Sequence, residues 1–355
     1  MSQRLVALDV FRGATIAAMI LVNNPGSWAH IYGPLRHADW HGWTPTDLVF
    51  PFFVFIVGVA VVVARPKPVT TILRRGAVLW LLGLLLAAFP ILGWDGGPYF
   101  LPHLKELRVL GVLPRLGICY AATALLVRTV PLRGLVILCA GILLAYWIAM
   151  AGYGNLDSKS DNLAGRIDHA VLGVHVWSVA KTWDPEGILS TFPALVTCLL
   201  GTFAGKLLTS ARSAELKTLD LFLLGAPLVV AGWTWGLFFP INQPIWTSSY
   251  VLLTAGQASC ALALSLHVCD VKGWQRWSRP FQVFGVNPIT AFVGSGLLAR
   301  TLGSGMLNWH EPLYRTLSTS WLPPRVASLA WALGTVALWG LVLLGLDKRG
   351  IRIKV

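Results

Sequence analysis

An all-α bundle of about ten membrane-crossing helices, one transmembrane domain over residues 1–355, is the fold this sequence predicts. Three observations lead there. Hydrophobic residues fill 55% of the 355 positions and charged residues only 12%, whereas a soluble domain carries about 25% charged residues. Apolar runs of the length that crosses a bilayer core, roughly 20 residues, recur from end to end. Lys and Arg collect in the links between alternate runs, the pattern of cytoplasmic loops.

The spans are read in order from their flanks. The first, 5–24, opens straight from "MSQRLVALDVFRG". That stretch lacks the basic n-region and small-residue cleavage site of a signal peptide, so the helix is expected to stay. The second, 46–64, follows "LRHADWHGWTPTDLVFPFFVFIVG"; the third, 74–93, follows the basic link "RPKPVTTILRR". The fourth, 109–128, carries Arg115 inside "RVLGVLPRLGICY", and "VRTVPLR" leads into the fifth, 133–151. "WDPEGILSTFP" reads as the entrance to the sixth, 188–208, with Asp184 as cap, Pro185 in the first turn and Glu186 on the helix dipole. Its "GTFAG" has the small-xxx-small spacing of close helix contacts. "KLLTSARSAELK" precedes the seventh, 218–239; the eighth is 247–268. "DVKGWQRWSRP" precedes the ninth, 282–300, which Asn287-Pro288 interrupts because proline removes a donor and frees a carbonyl. The tenth, 325–346, ends in "DKRGIRIKV".

The net charge of +13 does not signal nucleic acid, because the cations sit in short links beside apolar runs; the partner they imply is the lipid bilayer. The five basic links place one face, and both termini, in the cytoplasm. Seven of the eight histidines (His30, His37, His41, His103, His169, His175, His310) then fall at the outer side, with His267 alone at the inner. The five cysteines show no CxxC pair or zinc spacing and read as packing residues.

His37-x-Asp39-x-His41, with Trp40 and Trp43 beside it, crowds proton-handling groups at a helix mouth. Three readings compete: a metal site, which needs further ligands at fixed geometry; a hydrogen-bonded structural loop; and a base or nucleophile oriented by a carboxylate. The third is preferred, with Asp39 holding one histidine's tautomer, and no metal is expected. Asp9 and Arg12 share one face of the first span, as a structural pair or as an anion site at Arg12. Broken membrane helices line cavities, which makes Asn287 a substrate-binding candidate with Trp40 and Glu186.

The segments "ALDVFRG", "LVNN", "RHADWHGWTPTDLVFPFFVFIVG", "VLGVLPRLGICY", "DPEGILST", "WTSSYVL" and "VNPITAF" resemble the transmembrane acetyltransferases related to heparan-α-glucosaminide N-acetyltransferase, most of all the bacterial NagX-type members. The resemblance runs in order through nearly the whole chain. It implies transfer of an acetyl group from cytoplasmic acetyl-CoA to the amine of a glucosamine-type sugar on the opposite face. It also implies a bacterial inner membrane, without the luminal domain of the lysosomal enzyme. The family's active histidine matches His37, and the asparagine closing the first helix matches Asn23, which would hydrogen-bond the carbonyl oxygen as charge develops. Where the lysosomal enzyme has Asn-Gly after the tryptophan, this chain has His41-Gly42. Arg12, Arg74, Arg75, Lys272, Arg276 and Arg279 are candidates to hold the CoA phosphates, and a homodimer is compatible with the sequence. Two rival classes stay open: a sugar or anion transporter lined by Asp9, Arg12 and Asn287-Pro288, and an O-acyltransferase acting on sugar hydroxyls.

Overall fold

The computed structural model describes residues 5–89, 105–303, 309–316 and 321–353. Among them there are helices and no strands. The membrane-length helices are α1 (Val6–Asn23), α2 (Val49–Val63), α3 (Val69–Ala88), α4 (Val112–Thr129) and α5 (Leu132–Tyr153). After the short α6 (Leu163–Leu172) come α7 (Thr191–Thr209), α8 (Ala214–Trp235) and α9 (Ser248–Leu266), the last running on through a π turn, His267–Val271. Then follow α10 (Arg279–Val286), α11 (Pro288–Gly303), the short α12 (His310–Tyr314) and α13 (Pro324–Lys348). Among the described residues, nine helices are long and apolar enough to cross a bilayer, or ten with the α10–α11 pair taken as one span. That pair bends by 74° at Asn287-Pro288, so the ninth span is broken where the proline predicts. Residues 90–93 of the third expected span lie outside the described residues, as does His103.

Small residues set the closest approaches. The α2–α7 pairing depends on Gly58, where a Cβ would come 1.8 Å from the carbonyl oxygen of Cys198, and on Gly201 of "GTFAG", where it would come 2.0 Å from that of Phe55. Any side chain there pushes the two backbones apart. Cys119, Cys139, Cys198 and Cys269 are buried thiols without disulfides and Cys260 is half-buried, in keeping with a packing role. One large core runs between α1, α2, α4, α7, α9 and α10, built from residues such as Ile16, Phe55, Leu199 and Tyr250.

Hydrogen bonds tie the links together at each end of the bundle. At one end, Gly42 N–H donates to Ile241 O at 2.7 Å, the Trp40 indole to Leu156 O at 2.8 Å, Val109 N–H to His175 O at 3.2 Å and Gly26 N–H to Ser328 O at 3.2 Å. These bonds join the 24–48 link to those of residues 154–162 and 236–247 and to the start of α13, and the 105–111 link to that of residues 173–190. The edge-on contact of Trp40 with Trp183 brings the two sets together as one cap, at the end of the bundle where the described histidines other than His267 lie. A second, smaller buried cluster of Trp40, Tyr146, Met150, Ala164, Phe239 and Ile245 lies beneath it. At the other end, Ala7 N–H donates to Asp270 Oδ2 at 2.9 Å and Arg279 pairs with Asp347 at 2.5 Å. That end bears the basic links.

Candidate active site

The sequence "TPTD" starts α2 through a capping box. Thr44 is extended at φ −125°, Pro45 takes the first position of a 3-10 turn, and the Asp47 side chain reaches back to the Thr44 N–H. Asp47 is buried, and its Oδ2 accepts the main-chain N–H of Thr44 at 2.8 Å and of Ala38 at 3.1 Å. The other oxygen, Oδ1, lies 2.5 Å from Nδ1 of His37. A carboxylate oxygen only accepts, so Nδ1 is the donor, and in the neutral ring this tautomer leaves the lone pair on Nε2. The His37 side chain is 53% exposed while that of Asp47 is 1% exposed. A fixed, buried acceptor behind an accessible imidazole is the arrangement that general-base and nucleophilic chemistry require.

His41 is built differently. Asn242, itself buried, lies with its amide nitrogen 3.3 Å from His41 Nδ1, and Asp157 meets Nε2 at 2.9 Å. Both ring nitrogens are therefore engaged, and the ring pins the first link to those of residues 154–162 and 236–247. Asp39 is exposed, and no hydrogen bond joins it to either histidine. The carboxylate that orients His37 is Asp47, ten residues on.

The other expected site residues scatter. Trp40 is 8% exposed; its indole donates to Leu156 O and its ring meets Trp183 edge-on at 5.5 Å, so it packs the cap. Asn23 ends α1 with its side chain exposed. A small pocket beside this helix end is lined by Leu21, Val22, Tyr32 and Leu35 and rimmed by Arg325. Arg12 lies 3.4 Å from Asp9 and donates to Gly285 O at 3.3 Å. Asp9 and Asn23 are fourteen residues apart on α1, about 21 Å of helix rise, which puts Arg12 toward the basic end. Asn287 is there too: fully buried, it donates to Ile351 O at 3.2 Å and accepts from Ile353 N–H at 2.9 Å. Its side chain holds the C-terminal tail, far from His37. Arg74, Lys272 and Arg276 are exposed at the same end, Arg75 lies over the Tyr120 ring at 5.7 Å, and Arg279 is tied to Asp347.

Glu186 belongs to a buried ionic cluster under the cap. Arg108 donates to Asp184 through Nε at 2.7 Å and to Glu186 through Nη2. Burial works against the Arg108 charge, yet the adjoining Glu186 and Asp184 carboxylates outweigh it and its pKa is raised. Asp184 does not cap α7, which starts only at Thr191; its Oδ1 accepts from Glu186 N–H at 2.8 Å, closing a turn ahead of the helix. Asp168 on α6 braces that turn, accepting from Ile188 N–H at 2.8 Å and Asp184 N–H at 3.3 Å. Gly187 permits this, since a Cβ there would sit 2.0 Å from Asp168 Oδ2. Arg115, fully buried, donates to Gly187 O at 3.2 Å and to the Ser190 hydroxyl, and lies over the Trp246 ring at 5.1 Å.

Burial pushes Asp168 up to about 6, against the pull of its two backbone N–H donors. The folded chain thus keeps a proton that the unfolded chain releases near the ordinary value of about 3.9. The associated stability is fully present below that value and is lost as pH rises through about 6, an effect of roughly 2–3 kcal/mol. Thermal unfolding of purified protein in detergent should give a lower Tm at pH 7 than at pH 5. Asp168→Asn should flatten that slope; an equal slope in the variant would assign it to another group.

Asp47 could have been found from sequence as the fourth residue of Thr-Pro-Thr-Asp before an apolar run, the capping-box signature. Nothing local marks Arg108, whose partners lie 76 and 78 residues away.

The chain matches the model of the heparan-alpha-glucosaminide N-acetyltransferase catalytic region over residues 4–244. It is 28% identical to mouse heparan-alpha-glucosaminide N-acetyltransferase over 84% of this chain and 54% of that protein. Against the human protein of the same name it is 29% identical over 82% of this chain and 52% of the other. The chain spans about half the length of the curated relatives it matches. With well over half of its residues inside the catalytic-region match, and the His37–Asp47 pair within it, this multi-pass membrane chain belongs to the heparan-alpha-glucosaminide N-acetyltransferase catalytic family.

Proposed function

We propose that the protein transfers an acetyl group from acetyl-CoA to the amine of a glucosamine-type sugar, with His37 Nε2 as the reacting nitrogen. The observation that carries this reading is the pairing of His37 with buried Asp47. Family membership supplies the reaction class; the pair supplies a base in a defined tautomer. The amine attacks the thioester carbonyl, Nε2 takes the amine proton, the C–S bond breaks, and the thiolate leaves as coenzyme A after receiving a proton. In the covalent variant Nε2 attacks first and an acetyl-imidazole hands the group on. The protein's mass after acetyl-CoA alone separates the two routes: one added acetyl group on His37 marks the second. Asn23, at the end of α1 on the histidine face, would donate to the carbonyl oxygen as it gains charge.

Donor and acceptor enter from opposite faces in this reading. Lys272 and Arg276, exposed at the basic end, would hold CoA phosphates, and the basic links would face the cytoplasm of a bacterial inner membrane with both termini. CoA phosphates do not cross hydrocarbon, so only the slim, uncharged pantetheine arm need pass between the helices toward His37. In sealed vesicles of known orientation, acetyl-CoA on the Lys/Arg-rich face should support acetylation of an impermeant amino sugar on the other. Coenzyme A release should require the amino sugar, and glucose should not replace it. Amino-sugar uptake without coenzyme A release would favour a transporter, and a requirement for both substrates on one face would overturn the crossing.

A further inference from the structure

Tyr250 reaches the back of the reactive pair from a different helix. Its hydroxyl, fully buried in α9, donates to the main-chain carbonyl of Asp47. Asp47 therefore holds His37 with its side chain while Tyr250 holds Asp47 by its backbone. The Tyr250 ring is fixed in turn by Trp246, which meets it edge-on at 5.2 Å and meets Phe50 at 5.2 Å. Trp246 is 0% exposed and sits at φ +51°, a left-handed conformation that a bulky side chain adopts only when its surroundings impose it. Three contacts impose it: the indole N–H donates to Thr197 Oγ1 at 3.1 Å, Arg115 covers the ring at 5.1 Å, and Trp246 N–H donates to Gln243 O at 3.1 Å. Strain kept in a buried aromatic behind a reactive pair is the expected mark of enforced placement.

We infer that Tyr250 is a positioning residue for His37, acting through the Asp47 backbone, with Trp246 as its support. The inference rests on the acetyl-transfer reading for its kinetic consequence, but the contact itself can be read without turnover. Tyr250→Phe removes one oxygen and keeps the ring contacts. Because small misplacements of a reacting group cost up to about 100-fold, kcat should fall on the order of 10- to 100-fold, with KM for both substrates within about twofold. The second readout is the proton resonance of the His37 Nδ1–H, which a 2.5 Å contact to Asp47 should shift far downfield. It should be present in the parent full-length chain in detergent, absent in His37→Ala, and moved or broadened in Tyr250→Phe. Ser259→Ala is the control, because it deletes another buried hydroxyl of the same helix, one that donates to Leu221 O at 2.8 Å. It should leave both kcat and the resonance unchanged. An unmoved resonance and a parental kcat in Tyr250→Phe would overturn the inference, as would equal effects from Ser259→Ala. If His37→Ala still transfers acetyl groups, the functional reading fails, while the resonance still decides whether Tyr250 places the pair.

Discussion

Asp47→Asn should cost nearly as much activity as His37→Ala, a loss of roughly 10²–10⁴-fold in kcat, although the Asp47 side chain is buried behind the imidazole. The reason lies in what surrounds it. The Ala38 and Thr44 N–H groups, 3.1 and 2.8 Å from Oδ2, demand an acceptor and would take the single oxygen of an asparagine. The amide NH₂ then faces His37 Nδ1, which must accept rather than donate. The imidazole proton moves to Nε2, and the lone pair that should take the amine proton is gone. His37→Ala removes the base outright, with folding largely intact because the ring is half exposed. Asp39→Asn should stay within about twofold, and His41→Ala should do less harm than His37→Ala, since His41 serves as a tether. Amino-sugar-dependent coenzyme A release by purified, monodisperse protein is the measurement. Near-normal turnover in Asp47→Asn would falsify the orienting role.

The bundle was legible because lipid leaves few alternatives: a run of about 20 apolar residues must satisfy its own backbone, and only a helix does so. The break at Asn287-Pro288 was legible for the same reason, since proline's missing donor is a local fact. Its meaning was not. Asn287 binds the tail 64 and 66 residues further on, and no periodicity reports a contact of that range. His37 stands out in the sequence by its crowded setting and by the family resemblance, and the nearest carboxylate to either histidine in the sequence is Asp39, whereas the structure sets Asp47 beside His37. Proximity in sequence misleads here because the link bends after Asp39, while the 3-10 turn at Pro45–Leu48 carries Asp47 back under the ring. Arg108, Asp168 and Tyr250 are all defined by partners on other elements, so their roles emerge only when the helices are assembled.

Arg108→Met should be the most destabilising charge deletion in the cap. Asp184 and Glu186 have side-chain exposures of 0% and 7%, and the substitution leaves both carboxylates in low dielectric without their shared cation. Breaking a buried pair by removing one partner costs about 3–5 kcal/mol, because the remaining charge keeps its desolvation cost and loses the attraction that offset it. The contrast is Arg212, whose pair with Asp220 is made by a side chain 57% exposed; Arg212→Met should change stability by about 1 kcal/mol or less. Thermal unfolding of the three proteins in one detergent at pH 7 gives the comparison, and Tm should fall far more for Arg108→Met. Adding Asp184→Asn and Glu186→Gln to Arg108→Met should recover part of the loss by neutralising the stranded charges. If Arg108→Met and Arg212→Met unfold together, or the triple variant is less stable than Arg108→Met alone, the cluster is not held by charge pairing.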